Sequence, residues 1–147
     1  MQEDALVVLL VEDDPAHAEI IIRLLQEHRI TPQIHHESDG EAALDFLFRR
    51  GAYADRLTYP EPHLVLLDLR LPKVDGLEVL RQINASERLR LLPVVVLSSS
   101  EAQGDIAAAY SHHVNSYLVK PVDYQKFVVL IESLVVYWLT LNRHPLP

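Results

Sequence analysis

Three short apolar runs set the strongest limit on how this chain can fold. They are rich in Val and Leu, and polar residues follow each of them directly. They cover Ala5 to Val11, Leu64 to Leu67 and Val94 to Leu97. Continuous apolar runs of this length are typical of strands buried on both faces. Two weaker candidates for strands of the same sheet are Gln33 to Glu37 and Ser116 to Val119.

Helical signals follow each of the five predicted strands. Asp14 with Pro15 is suited to begin the first helix, because aspartate caps helix N-termini and proline fits the first turn. Similar signals begin the other four helices, at Ser38-Asp39, Asp75-Gly76, Ser100 and Asp123. The second helix is predicted to end near Gly51 and the fourth near His112.

Strand and helix alternate five times, which predicts a doubly wound α/β domain with a parallel five-stranded sheet. The 147 residues suit one domain, residues 1–147, with its core at about 5–140. The residues between Arg49 and Pro62 lack clear periodicity and are predicted to form a long surface loop.

Composition excludes several classes of function. The 13 Lys and Arg against 21 Asp and Glu give a net charge of −8 without a basic cluster, which argues against direct nucleic-acid binding. The chain has no cysteine, so disulfides and thiolate metal sites are excluded. The N-terminus does not resemble a secretory signal, and we expect no apolar stretch able to cross a membrane. These features predict a cytoplasmic protein without a membrane partner.

Polar side chains stand at the ends of four predicted strands. These are Glu12-Asp13-Asp14, Asp68, Ser98 to Ser100 and Lys120-Pro121. In open α/β sheets, ligands bind beyond the carboxyl ends of the strands. Carboxylates from two strands repel each other there, and a divalent cation with oxygen ligands relieves that repulsion. The sequence therefore predicts a Mg²⁺ or Mn²⁺ site.

The same residue types suit transfer of a phosphoryl group. Asp68 offers a carboxylate nucleophile, Ser98 a hydroxyl and Lys120 an ammonium group. A cation, a lysine and a hydroxyl can together bind the three equatorial oxygens of the transferred group. We expect an acyl phosphate on Asp68 as the product.

Five motifs in this order resemble the receiver domains of two-component response regulators. They are Val11 to Pro15, Leu66 to Pro72, Asp75-Gly76, Pro93 to Ser98 and Tyr117 to Pro121. The resemblance covers residues 5 to about 140. It implies a CheY-like fold with strand order 2-1-3-4-5 and five helices.

The resemblance also implies roles for individual residues. Asp68 would accept the phosphoryl group from a histidine kinase, without turnover of small substrates. Asp13 and Asp68 would bind the metal directly, Glu12 would bind it through water, and the backbone carbonyl of Arg70 would complete the protein ligands.

Three further residues would form the switch of such a domain. Ser98 would turn its hydroxyl toward the phosphoryl group, Lys120 would pair with that group, and Tyr117 would move inward. The bond between Lys120 and Pro121 is commonly cis in receivers. No output domain follows Pro147, so we expect a partner molecule to read the change.

A narrower likeness points to the small regulators that partner phytochrome-type histidine kinases. It rests on four segments and the long loop after the first of them: Phe46 to Gly51, Pro93 to Ser100, Tyr110 to Lys120 and Tyr137-Trp138-Leu139. The resemblance implies a phytochrome-type kinase as the phosphodonor.

The last helix is apolar over much of its circumference. One stripe, expected to be buried, consists of Phe127, Ile131, Leu134, Trp138 and Leu141. A second, offset stripe consists of Val128, Val135 and Leu139. One domain face cannot cover both stripes, so we predict a homodimer through this helix. Attachment to a lipid surface is the less favoured alternative, because basic residues are lacking there.

The eight histidines are interpreted as structural or surface residues. The adjacent pairs His35-His36 and His112-His113 point in different directions on a strand or a helix, so they do not converge on one ligand.

Three alternatives compete with a phosphorylated receiver. A degenerate receiver could serve only as a dimerising scaffold, although Asp13, Asp68, Ser98 and Lys120 are intact. A phosphohydrolase acting through an aspartyl phosphate would need a second acid after Asp68, where Arg70 stands two residues on. A flavodoxin-like nucleotide binder would need a glycine-rich loop after the first strand, which this chain lacks.

Overall fold

A five-stranded parallel sheet forms the centre of the molecule. The computed structural model describes residues 6–28 and 32–143. The strands are β1 (Val7–Val11), β2 (Gln33–Glu37), β3 (Leu64–Leu67), β4 (Val94–Ser98) and β5 (Ser116–Val119). They lie in the order β2-β1-β3-β4-β5, which confirms the doubly wound prediction and the CheY-like strand order. Ala5, the predicted start of the first strand, lies outside the described residues.

Helices follow each strand and cover both faces of the sheet. They are α1 (Pro15–Gln26), α2 (Gly40–Leu47), α3 (Gly76–Ala85), α4 (Gln103–Ser111) and α5 (Tyr124–Val136). A 3₁₀ turn covers Gly51–Tyr53, and a π-helical turn at Tyr137–Leu141 continues α5. The predicted caps Asp14 and Asp39 are confirmed because their side chains accept backbone N–H groups. Asp75 and Asp123, at two further predicted helix starts, cap α3 and α5 in the same way.

Two helix boundaries differ from the sequence prediction. Helix α2 ends at Leu47 rather than near Gly51, because Arg49 adopts a left-handed conformation with φ of 61° and Arg50 N–H closes back on Asp45 O. Helix α4 begins at Gln103, without the predicted cap from Ser100. The Ser100 hydroxyl instead donates to Asp105 of α4 at 2.5 Å and accepts the N–H of Ala102, before the helix, at 3.2 Å.

Alternate residues of the central strands supply two separate cores. Leu9, Val11, Val65 and Leu67 face α2 and α3, whereas Val8, Leu10, Leu64 and Leu66 face α1 and α5. All eight side chains are buried, as predicted from the continuous apolar runs. Burial of each such side chain stabilises the fold by about 1.5–3 kcal/mol. The packed strands therefore hold the residues at their carboxyl ends in fixed positions.

The last helix is only partly covered by the rest of the domain. Phe127, Ile131 and Leu134 are buried as predicted and Trp138 is partly buried, but Leu141 is 67% exposed. The prediction that the second stripe needs outside cover is wrong for Val135, which is buried, and Leu139 packs against the same core. The π-helical turn changes the number of residues per turn, so an extrapolation at helical spacing misplaces Leu141. Tyr124–Leu141 is also long and apolar enough to cross a membrane by length and composition, contrary to expectation. Only 22% of this stretch is buried, by residues that pack into the core with α1, so most of its apolar surface is not covered by the domain.

Close packing at Gly40 gives a test of this fold. A Cβ atom added there would lie 1.9 Å from the backbone oxygen of Val74, so we expect Gly40→Ala to destabilise the protein by roughly 2–3 kcal/mol. Gly104, at the start of α4, has no atom within 4 Å of a built Cβ. Gly104→Ala should therefore be neutral or slightly stabilising. Urea unfolding measures both, and equal stability of the two variants would contradict the described packing.

Candidate functional site

Three carboxylates meet at the carboxyl edge of the sheet. Glu12 and Asp68 directly follow β1 and β3, and Asp68 N–H donates to Val11 O at 3.0 Å, which keeps the two strand ends side by side. One oxygen each of Glu12, Asp13 and Asp68 lies within 4.8 Å of the others. Glu12 and Asp68 are only 1% and 8% exposed, whereas Asp13 is exposed. The cluster therefore has a buried floor and one side open to solvent.

The donor set of this cluster fits a hard divalent cation. Carboxylate oxygens are the ligands that Mg²⁺ and Mn²⁺ prefer, and three of them converge here on a position that solvent can reach beside Asp13. One lysine offsets only part of the negative charge, so a bound cation would relieve the remaining repulsion.

Lys120 carries the positive charge of the site and is itself buried. Its ammonium nitrogen lies 2.5 Å from Glu12 Oε1, 3.2 Å from Asp68 Oδ2 and 3.1 Å from His17 Nδ1. The Lys120 backbone N–H donates to Ser98 O at 2.7 Å, which extends the pairing of β4 and β5 by one residue. Two carboxylates and an imidazole thus surround the ammonium group.

The peptide bond after Lys120 differs from the expectation. The bond between Lys120 and Pro121 is trans, so the cis form implied by the resemblance is wrong for this structure. The trans form of a bond before proline is intrinsically favoured by about 0.5–1 kcal/mol. The three partners of the Lys120 ammonium group hold it at the carboxylates without a cis bond.

Burial changes the protonation of Glu12. Loss of solvent raises the pKa of Glu12 to about 7, and the hydrogen bond with Asp68 acts in the same direction. Lys120 opposes both effects through its hydrogen bond and its charge. Glu12 therefore holds a proton more readily than an ordinary glutamate, and a cation at the cluster would have to displace that proton.

The loop after β3 packs against Asp68 and holds its side chain in position. Arg70 N–H donates to Asp68 Oδ1 at 3.3 Å, and Gly76 N–H donates to the carbonyl of Leu69 at 2.8 Å. A Cβ atom at Gly76 would lie 2.5 Å from Asp68 O, so only glycine permits this close approach. The Arg70 guanidinium extends away to Asp105 at 2.9 Å.

The predicted switch residues are joined through the loop between β4 and α4. Ser98 is fully buried, and its hydroxyl accepts the N–H of Ser100 at 3.1 Å. The half-buried Tyr117 donates its hydroxyl to Ser100 O at 2.9 Å. Ser100 also donates to Asp105, the residue that binds Arg70. Ser98 and Tyr117 therefore both bond to the backbone of Ser100, and a movement of Ser100 would affect both.

The structure brings Glu12, Asp13, Asp68 and Lys120 together, and it places Ser98 at the neighbouring strand end. Two residues of the site were not predicted from the sequence: His17, which contacts Lys120, and Asp105, which links Ser100 to Arg70. The signal for His17 was its position in the first turn of a helix that begins directly after the acidic strand end.

Two other histidines support the interpretation as structural residues. His35 stacks on Phe46 with ring centroids 4.2 Å apart, and its Nε2 lies 2.7 Å from Glu37 Oε2. His36 Nε2 lies 2.9 Å from the backbone oxygen of Glu12 and thereby supports the end of β1. His17 departs from this pattern because its ring nitrogen reaches the buried lysine.

Comparison with known proteins identifies the family of this site. The family model for the response regulator receiver domain matches residues 8–132, which is most of the chain. The probable methanogenesis regulatory protein FilR2 of Methanothrix harundinacea is 49% identical over 145 residues, with 99% of this chain and 91% of FilR2 covered.

Two solved structures are similar over nearly the whole chain. The phosphorylated cyanobacterial phytochrome response regulator RcpA superposes with a TM-score of 0.91 at 34% identity and covers 97% of this chain and 99% of its own. The Mn²⁺-bound form of response regulator Rcp1 has a TM-score of 0.91 at 37% identity, with 95% and 99% covered. The carboxylate cluster, the strand order and these matches agree, and the chain belongs to the receiver domain family of two-component response regulators.

Proposed function

We propose that this chain acts as a stand-alone receiver that accepts a phosphoryl group on Asp68 from a histidine kinase. The observation that carries the proposal is the convergence of Asp68, two further carboxylates and the buried Lys120 at one edge of the sheet. The near full-length match to FilR2 and the phosphorylated state of RcpA support it. The protein would then serve as a phosphorylated signal carrier and not as an enzyme acting on small substrates.

In the proposed reaction, a phosphoryl group moves from a histidine nitrogen of the kinase to a carboxylate oxygen of Asp68. A carboxylate oxygen of Asp68 attacks the phosphorus of a phosphohistidine, an O–P bond forms and the N–P bond breaks. The leaving imidazole of the kinase takes up a proton. The product is an acyl phosphate on Asp68 that carries about two negative charges.

The metal site of this proposal uses residues of the same cluster. Asp13 and Asp68 would hold Mg²⁺ directly, Glu12 would hold it through water, and the Arg70 backbone carbonyl would complete the protein ligands. The bound cation would supply charge neutralisation for the transferred group. The exposed carboxylate of Asp13 gives such a cation a route from solvent to the buried carboxylates.

Phosphorylation would rearrange the contacts of Lys120 and Ser98. Lys120 would exchange its 3.2 Å contact with Asp68 for an oxygen of the phosphoryl group. The Ser98 hydroxyl would turn toward that group and give up the N–H of Ser100, which costs about one ordinary hydrogen bond, or ~1 kcal/mol. Tyr117 is bonded to Ser100 as well, so its inward movement would follow.

The phosphodonor we propose is a phytochrome-type histidine kinase in the cytoplasm. RcpA is a cyanobacterial phytochrome response regulator, and its fold matches nearly all of this chain. The lack of cysteine suits a reducing compartment. A second candidate is a pathway that regulates methanogenesis, because FilR2 carries that description at 49% identity. The chemistry at Asp68 is the same in both cases.

A homodimer through α5 is the assembly we propose. Val129, Val136, Tyr137 and Leu141 are large apolar residues that remain exposed along α5 and its π-helical turn. Beside them, Leu118, Leu130 and Trp138 line a groove between β5 and the end of α5. A second copy of the helix would cover this surface, as apolar area of this kind requires. A scaffold that dimerises without phosphorylation is the alternative that the next experiment decides.

Replacement of the acceptor should abolish labelling. Wild type incubated with acetyl phosphate and Mg²⁺ is expected to gain the mass of one phosphoryl group, because Asp68 supplies the nucleophile. Asp68→Asn should gain none, and Asp75→Asn, an exposed aspartate of the same loop, should label like wild type. Intact mass spectrometry measures all three. An unlabelled wild type would favour the scaffold, and a labelled Asp68→Asn would reject this acceptor.

Mg²⁺ affinity should increase with pH. The pKa of Glu12 is raised to about 7, so its protonated form is favoured and a cation must displace the proton at lower pH. Without a cation, the protein accordingly loses folding stability as the pH rises from 4.5, the ordinary pKa of glutamate, to about 7. Binding of a cation restores that stability. Calorimetric titration with Mg²⁺ should show about a tenfold gain in affinity from pH 6 to 8. Glu12→Gln should lose this dependence, and equal wild-type affinities at pH 6 and 8 would contradict it.

A charge on the exposed face of α5 should dissociate the dimer. Val129→Glu places a carboxylate in the proposed interface, where burial without a partner is costly, so we expect at least a tenfold weaker dimer. Leu91→Glu changes another exposed apolar residue, in the segment between α3 and β4, and should have no effect. Sedimentation equilibrium measures both variants. A monomeric wild type, or equal dissociation by both variants, would contradict the α5 interface.

A further inference from the structure

A histidine outside the predicted site contacts its buried lysine. His17 is the third residue of α1, and its Nδ1 lies 3.1 Å from Lys120 Nζ across 103 positions of sequence. The ring also packs against Phe127 of α5, with centroids 5.0 Å apart and the planes tilted by 31°. The His17 backbone N–H donates to the Asp14 cap at 3.3 Å. Helix start, lysine and α5 thus hold the imidazole from three sides.

Among the three partners of Lys120, His17 differs from the other two in its chemistry. An ammonium group has three N–H donors, and Lys120 has three partners within hydrogen-bond distance: Glu12, Asp68 and His17. The first two are carboxylates that the proposed function also uses toward the cation and the phosphoryl group. His17 is a neutral acceptor when its proton is on Nε2, and neither of those roles engages it.

We propose that His17 is a positioning residue that holds the Lys120 ammonium group in place while its carboxylate partners change. This inference rests on the proposed phosphorylation of Asp68. As the phosphoryl group arrives, two of the three lysine partners rearrange and the contact with His17 persists. The ammonium group then points at the transferred oxygens instead of following Glu12, and the transition state is stabilised without reorganisation of the lysine.

The neighbours of His17 are consistent with an acceptor role for Nδ1. The carboxylate of Asp14 lies 3.6 Å from the same Nδ1, which is too long for a hydrogen bond. Lys120 is closer and can only donate, so Nδ1 must accept from it. A purely structural histidine packed on Phe127 would not require an acceptor at that atom. A positioning role therefore requires a replacement side chain with an acceptor near Nδ1, whereas a packing role requires only a side chain that fills the space beside Phe127.

The test compares three replacements of His17 by their rates of phosphorylation. Asparagine can place its amide oxygen near the position of Nδ1, glutamine reaches further toward Nε2, and leucine supplies no acceptor. We expect His17→Leu and His17→Gln to lower the rate constant with acetyl phosphate and Mg²⁺ about five- to tenfold, the effect of one hydrogen bond. His17→Asn should stay within about twofold of wild type, because it keeps the acceptor.

Two controls separate positioning from folding and from the metal site. Thermal unfolding and Mg²⁺ affinity are measured for every variant. Asn and Gln should both be folded at the assay temperature, and their Mg²⁺ affinity should match wild type, since the carboxylates are unchanged. If His17→Leu fails to fold, the comparison of Asn with Gln decides the question. Equal rates for Asn and Gln, or a wild-type rate for a folded Leu variant, would overturn the proposal. Absence of label on wild type would instead overturn phosphorylation of Asp68 itself.

Discussion

The site depends on a buried ammonium group between two buried carboxylates. Lys120 is 6% exposed, and its contacts with Glu12 and Asp68 balance charges that would otherwise be costly to bury. Removal of one partner from such a pair typically costs about 3–5 kcal/mol. The balance is also incomplete, because the three carboxylates outnumber the lysine. A resting state of this kind favours both a cation and a reaction that rearranges the contacts of the lysine.

The fold places these charged side chains within contact distance of one another. Parallel pairing sets β1 beside β3 and β4 beside β5, so acidic residues and the lysine reach one edge from strands that are far apart in sequence. The two cores fix the strands from both faces, and Gly76 lets the next loop close against Asp68. The segment after β4 is then the part whose hydrogen bonds can change, since Ser98 and Tyr117 both contact Ser100.

Local signals in the sequence predicted the fold and most of the site. The bounds of β2, β3 and β5 agree with the structure. For β3 the reason is a continuous apolar run with a polar end, which marks a buried strand residue by residue. Non-local features could not be predicted in this way. The contact of His17 with Lys120 depends on how α1 lies against β5, and the exposure of Leu141 depends on a π-helical turn. Ser100 has the chemistry of a cap but is engaged by Asp105 instead.

A crystal structure with Mg²⁺ and beryllofluoride, a mimic of the phosphoryl group, would show directly whether Asp68 is the acceptor. We expect the adduct on Asp68, with Lys120 Nζ within about 3 Å of a fluorine and the Ser98 hydroxyl released from Ser100 N–H. The exposed Asp13 should contact the cation. An unmodified Asp68 at saturating beryllofluoride, or an adduct with Lys120 still paired to Asp68 and Glu12, would contradict the account.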